Sequence, residues 1–318
     1  MNEQTSEHVS AVAPSGVARL IAHVKAMAPV RTAVVHPCDA LSLGGALDAR
    51  DAGIITPVLV APLAKLRAVA ADFGLDLGDS EIVDVPHSHA AAATAARLAG
   101  KGEVQALMKG SLHSDEYLGA ILAPEAGLRT ERRLTHCYIM QTASYPRPFI
   151  ITDAAINIAP SLEDKADIVR NAIDLAHVIG VAEPKVAILA AVETVNPRMR
   201  STLDAAALCK MADRGQITGG LVDGPLAFDN AVSPEAAQVK GIRSAVGGQA
   251  DVLVVPDLES GNMLAKQLEF LGGAESAGIV IGARVPIVLT SRSDSRTTRL
   301  ASCAIALMLA ERRRAAPP

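Results

Sequence analysis

The stretch Thr290-Ser291-Arg292-Ser293-Asp294-Ser295 sets hydroxyls, a guanidinium and a carboxylate just ahead of a helical pattern. Free backbone N–H groups at a helix start favour an anion, and the forked guanidinium of Arg292 matches phosphate oxygens. Ser291 can donate a hydrogen bond to an oxyanion. The plain alternative is a helix cap beside a surface arginine. A covalent role for Ser291 lacks a histidine visibly placed to activate it. A second cluster, Lys109-Gly110-Ser111-Leu112-His113-Ser114, brings an ammonium group, two hydroxyls and an imidazole that titrates near neutrality. His113 is a candidate general base, or a structural histidine following a strand.

Three more polar clusters follow apolar runs: Asp153-Ala154-Ala155-Ile156-Asn157, Asp223-Gly224-Pro225-Leu226-Ala227-Phe228-Asp229 and Pro256-Asp257-Leu258-Glu259-Ser260-Gly261-Asn262. Each alone reads as ordinary capping. Five together predict one shared cleft, because ligands of open α/β sheets bind beyond the carboxyl ends of strands. Arg129, Arg132 and Arg133 form either a solvated charged face or a contact for ligand phosphates. The carboxylates Asp153, Asp223, Asp229, Asp257 and Glu259 would suit a divalent cation only if several converged. No P-loop, G-x-S-x-G, H-E-x-x-H or G-x-G-x-x-G motif is present.

The elements that must position these residues are legible as short apolar runs. Strands are predicted at 31–36, 57–61, 81–84, 106–109, 137–141, 148–152, 186–190, 220–222, 251–255 and 285–289. Helices are predicted at 88–99, 162–179, 199–214, 262–271 and 299–312. Their alternation predicts mainly parallel sheets flanked by helices. Aromatic residues are only 2 % of the 318, so Ala, Val, Leu and Ile must build the core, as parallel strands covered on both faces do. The prolines of Tyr145-Pro146-Arg147-Pro148 suggest a break. The expected division is a first domain of residues 16–146 plus 291–318 and a second of 147–290, with 1–15 a flexible arm.

A net charge of −4 offers no broad basis for binding nucleic acid. No apolar run approaches the roughly 20 residues that span a bilayer, and no secretion signal is visible, so a cytoplasmic protein with no membrane partner is expected. Cys38, Cys137, Cys209 and Cys303 lie far apart, without a C-x-x-C pair, and are expected to be reduced.

At the clusters above, the sequence resembles the phosphate acetyltransferase and phosphate butyryltransferase family. The matching pieces are Met108 to Ser114, Leu128-Arg129-Thr130 followed by His136, Ile151 to Pro160, Asp223 to Asp229, Pro256 to Asn262 and Thr290 to Ser295. The likeness runs over roughly residues 20–311. It implies two α/β domains, similar to isopropylmalate dehydrogenase, with the active site in the cleft between them. It implies transfer of an acyl group from acyl-CoA to inorganic phosphate, giving acyl phosphate and free CoA. Coenzyme A is then a substrate, and neither a cofactor nor a metal is implied. By the same resemblance Ser291 helps hold the thioester carbonyl and Arg292 the phosphate. Asp294, Asp257 and His113, in that order, are candidates for the thiol base. Lys109, Ser111, Ser114, Arg129, Asp257 and Asn262 are expected to bind substrate, and a homo-oligomer is expected. Thr298 stands where acetyl-type members carry an aspartate base, and Gly119 where the family has an arginine. The Leu-Arg-Lys-His-Lys-Gly stretch of acetyl-type enzymes is absent. These departures lean toward the butyryl-type branch. The alternatives are an NAD- and metal-dependent hydroxy-acid dehydrogenase of related fold and a non-catalytic CoA-binding protein.

Overall fold

The computed structural model describes residues 16–291 and 294–315; the expected arm at 1–15 lies outside them. After a first helix α1 (Gly16–His23), strands and helices alternate: β1 (Val30–Val35), α2 (Ala40–Asp51), β2 (Ile55–Ala61), α3 (Leu63–Asp72), β3 (Glu81–Asp84), α4 (Ser88–Gly100), β4 (Ala106–Lys109) and α5 (Ser114–Ile121). A central pair, β5 (Thr135–Gln141) and β6 (Phe149–Thr152), leads to α6 (Leu162–Val178), β7 (Lys185–Leu189), α7 (Arg200–Asp213) and β8 (Leu221–Leu226). The chain continues through α8 (Phe228–Val232), α9 (Pro234–Val239), β9 (Val252–Val254), α10 (Leu258–Phe270), β10 (Glu275–Ile281), β11 (Ile287–Val288) and α11 (Arg296–Ala315).

The eleven strands of the described residues form one sheet, ordered β3-β2-β1-β4-β11-β10-β5-β6-β9-β7-β8. The outer strands make two parallel wings, β3-β2-β1-β4-β11 and β6-β9-β7-β8. Three antiparallel pairings, β11–β10, β10–β5 and β5–β6, join them. An odd number of reversals makes the wings run in opposite directions, and the registers set the ends of both on one row, Met108–Val288–Ile279–Cys137–Thr152–Val254, so their carboxyl ends meet in the middle of the sheet. The Tyr145–Pro148 segment expected to break the chain is the turn between β5 and β6, inside this sheet.

Strand alternation sorts the core. On one face, Val34, Leu59, Ile139, Val186 and Val254 share a continuous apolar cluster with α6 and α11. On the other face there are two clusters. One gathers Val35, Val58, Leu107 and Tyr117 on the first wing; the other gathers Ile151, Ala187, Leu253 and Phe149 on the second. The β5 side chains that face this way are His136, Tyr138 and Met140, of which Met140 belongs to the second-wing cluster and Tyr138 packs against it.

Several boundaries differ from the sequence reading. Helix α2 was not expected, because Gly44-Gly45 weakens the pattern; Asp39 caps it by accepting from the Ser42 amide at 2.7 Å. Strand β10 was missed because Ser276 and Gly278 interrupt its apolar run, yet it is a central strand. Helix α10 starts at Leu258, so Glu259 to Asn262 are helical rather than loop. Strand β8 runs to Leu226, so Asp223 and Gly224 lie inside a strand. Helix α11 runs over Arg296–Ala315, beyond both bounds of the expected 299–312.

Candidate active site

A cavity of about 460 Å³ opens at the ends of β4 and β11. Its wall takes Lys109, Gly110, Leu112, His113 and Ser114 from the end of β4 and the start of α5. Leu289, Thr290 and Ser291 come from the end of β11, and Asp39, Leu41 and Ser42 from the start of α2. Met108, His136, Tyr138, Ala155 and Arg299 complete it. The carboxyl ends of β4 and β11 thus meet the face of β5, with one residue from the loop after β6.

Local bonding explains how the β4 turn is held. Gly110 donates its amide to Val35 O at 2.9 Å, and Ser111 donates its amide to His36 O at 2.9 Å. A Cβ on Gly110 would lie 2.3 Å from Val35 O, so only glycine permits this approach to β1. The Ser111 hydroxyl donates to His36 O at 2.9 Å and accepts from the Cys38 amide at 3.1 Å. Ser111 therefore fastens the turn from behind and is not part of the cavity wall, whereas His113 and Ser114 reach it.

The β11 turn is closed differently. The Ser291 amide donates to the Asp294 carboxylate at 2.7 Å, and the Asp294 amide donates back to Ser291 O at 3.2 Å. Burial raises the Asp294 carboxyl above its ordinary range, against the pull of the Ser291 amide. Arg292 lies outside the described residues. Ser295 caps α11 through the Thr298 amide at 3.0 Å, and the Thr298 hydroxyl, 3.0 Å from that of Ser295, joins the same cap. The position where an aspartate base was sought thus serves the helix start. One turn on, Arg299 donates to Asp294 O and lines the cavity.

The other expected site residues do not line this cavity. Arg129 is exposed and donates to Leu122 O. Asp257 caps α10, accepting from the Ser260 amide at 2.8 Å and hydroxyl at 2.7 Å. It borders a second cavity of about 260 Å³ with Lys165, Arg200 and Ser201. Asn262 donates to Ala154 O at 3.1 Å and so steadies the loop that carries Ala155. The turns after β4 and β11 and the loop after β6 thus line one cavity, and Asp257 borders the second.

Asp153 is buried and spends its carboxylate on its own loop, accepting from the amides of Ala155 at 2.9 Å and Ile156 at 3.1 Å and from the Asn157 side chain. Among the described residues no group of three or more His, Cys, Asp or Glu is placed to hold a metal. The residues that sequence reasoning left unassigned are Asp39, Leu41 and Ser42, whose helix was not recognised, and Arg299, His136 and Tyr138. Arg299 carried a signal, because it lies one helical turn beyond the Ser291-to-Ser295 cluster. His136 stood in the quoted motif pieces without a role. Burial pushes the Tyr138 phenol up to about 12 and the His136 imidazole down to about 4.

The family described as "Phosphate acetyl/butaryl transferase" matches residues 87–307. The chain is 62 % identical over 303 residues to a phosphate acetyltransferase from Rhizobium meliloti, covering 95 % of this chain and 96 % of that one. It is 41 % identical over 291 residues to a phosphate butyryltransferase from Clostridium acetobutylicum, covering 92 % and 97 %. Among solved structures, a branched-chain phosphotransacylase from Enterococcus faecalis V583 superposes with a TM-score of 0.76 at 29 % identity, covering 88 % of this chain and 99 % of that one. The cavity's Lys109, His113, Ser114 and Ser291 all fall within the matched span, and the chain belongs to the phosphate acetyl/butyryl transferase family.

Proposed function

We propose that the chain transfers an acyl group between coenzyme A and inorganic phosphate, and that the cavity between the wings is where it does so. The observation that carries this reading is the meeting, in one cavity, of Ser291 with Lys109, His113 and Ser114, set by the ends of two adjacent parallel strands. Phosphate attack on a thioester needs an anion held close to the carbonyl carbon and donors for the charge that grows on its oxygen. Lys109 and Arg299 supply positive charge at the wall. Arg292 adds to it, as the sequence suggests. Ser291 donates to the carbonyl oxygen.

The step balances without a cofactor. An oxygen of HPO₄²⁻ forms a bond to the carbonyl carbon, the carbon–sulfur bond breaks, and its electron pair leaves with sulfur. The proton on phosphate ends on the thiolate, giving acyl phosphate and CoA-SH. In reverse, a base must take the thiol proton. His113 sits in the wall for that task, with Asp294 behind the Ser291 turn. Asp257, in the second cavity, is the weaker candidate. The family affiliation favours this chemistry over an NAD-dependent dehydrogenase.

Purified protein should release CoA thiol from a short acyl-CoA only when phosphate is present. No release from any acyl-CoA between acetyl and hexanoyl would end the proposal, and CoA binding without turnover would support a binding protein instead. The acyl series also fixes chain-length preference, since relatives carry both acetyl and butyryl names. We further propose two functional halves that face each other across the cavity, a cytoplasmic location and a homo-oligomer. Among the described residues no helix is long and apolar enough to cross a membrane. Light scattering on the purified chain tests the oligomeric state.

A further inference from the structure

His136 is 1 % exposed, lines the cavity, and has no hydrogen-bond partner at either ring nitrogen among the described residues. A buried polar group left unmade costs about 1–3 kcal/mol, so an imidazole kept this way inside a binding cavity calls for a compensating partner. Its surroundings are shaped to keep it. On β10, a Cβ at Gly278 would come 3.1 Å from Nε2 and 3.2 Å from Cε1. The Tyr138 ring packs edge-on at 4.3 Å between centroids. The backbone is pinned too, because His136 pairs with Val280 and its carbonyl accepts from the Thr152 hydroxyl at 3.1 Å.

We propose that His136 is a catalytic residue that donates one ring N–H to the thioester carbonyl oxygen, forming with Ser291 a two-donor site for the developing oxyanion. This rests on the function proposed above. A donor is most effective when fixed beforehand in a place shielded from water, and a residue in the middle of an eleven-stranded sheet meets that condition. Burial keeps the ring neutral at physiological pH, although the nearby Asp153 charge pulls the other way. A neutral imidazole has one donor and is an established type of electrophile in enzymes. When phosphate oxygen bonds to the carbonyl carbon, the C=O π pair moves onto the oxygen, where His136 and Ser291 hold it. The pair returns as the carbon–sulfur bond breaks. His136 keeps its proton throughout, and the proton that reaches sulfur comes from phosphate.

The test is steady-state kinetics of the full chain with acyl-CoA and phosphate. His136→Phe keeps the volume and removes the donor. It should lower kcat about a hundredfold, change the KM for phosphate little, and leave the melting temperature equal or higher. His136→Gln keeps a donor and should recover most of the lost kcat. A Phe variant within twofold of wild-type kcat overturns the inference. So does a His136→Gln variant as slow as His136→Phe. Should His136→Phe not fold, imidazole added to His136→Ala should restore turnover, and no restoration counts against the role. An inactive wild type overturns the functional reading itself, whereas an active wild type matched by His136→Phe overturns this inference alone.

Discussion

Single side chains divide here between those that face the cavity and those that hold it open. Ser111 and Asp153 satisfy backbone groups of their own loops, whereas Lys109, His113, Ser114, Ser291 and Arg299 line the wall. Replacing Arg292 with Ala should raise the KM for phosphate by tenfold or more while shifting that for CoA much less, as initial rates at varied phosphate will read. His136 also makes a pH prediction about stability. Its folded pKa is about 4, below the roughly 6.5 of the unfolded chain. Between those values the unfolded state binds a proton that the folded state does not, so stability falls as pH drops through the window. It is fully recovered above about pH 6.5. Melting temperatures from pH 7 to pH 4 should therefore decline less steeply in His136→Phe than in the wild type.

At the scale of elements, helix starts do most of the positioning. Helix α6 opens with a capping box in which the Ser161 hydroxyl accepts from the Asp164 amide and the Asp164 carboxylate from the Ser161 amide. Asp39 caps α2 and Ser295 caps α11, and both helices bring residues to the cavity. Helix α5 carries Gly119 where the family has an arginine, and a Cβ there meets nothing within 4 Å. Glycine inside a helix costs roughly 0.5–1 kcal/mol relative to alanine. Gly119→Ala should therefore raise stability by about that amount in urea unfolding, with turnover unchanged.

For the whole molecule, α11 is the tie. It packs on α2 of the first wing, on α6 of the second and on the central strand β10. Leu307 on α11 is fully buried in the cluster shared by both wings. Leu307→Ala should cost about 2–5 kcal/mol, read from denaturant midpoints. Because that cluster is continuous, the loss should appear as one shifted transition and not as separate melting of the halves. The opposite face splits its apolar packing in two, and the cavity takes residues from both faces, Leu112 and Tyr138 on the split one and Met108 and Arg299 on the continuous one.

Strand positions, the α/β class and the polar clusters at strand ends were legible from sequence, because buried parallel strands read as short Val-, Ile- and Leu-rich runs bounded by turn residues. The pieces at Lys109 to Ser114 and at Ser291 also carried the chemistry of the family. Only tertiary structure decided which clusters meet. The odd number of strand reversals at β10, β5 and β6 turns one wing against the other, and β10 was hidden by Ser276 and Gly278. Those central strands bring His136, a strand residue with no local signal, to the cavity wall, while Asp257 borders the second cavity. Local sequence sets periodicity and caps, but pairing direction depends on contacts between residues far apart in the chain, which no short pattern encodes.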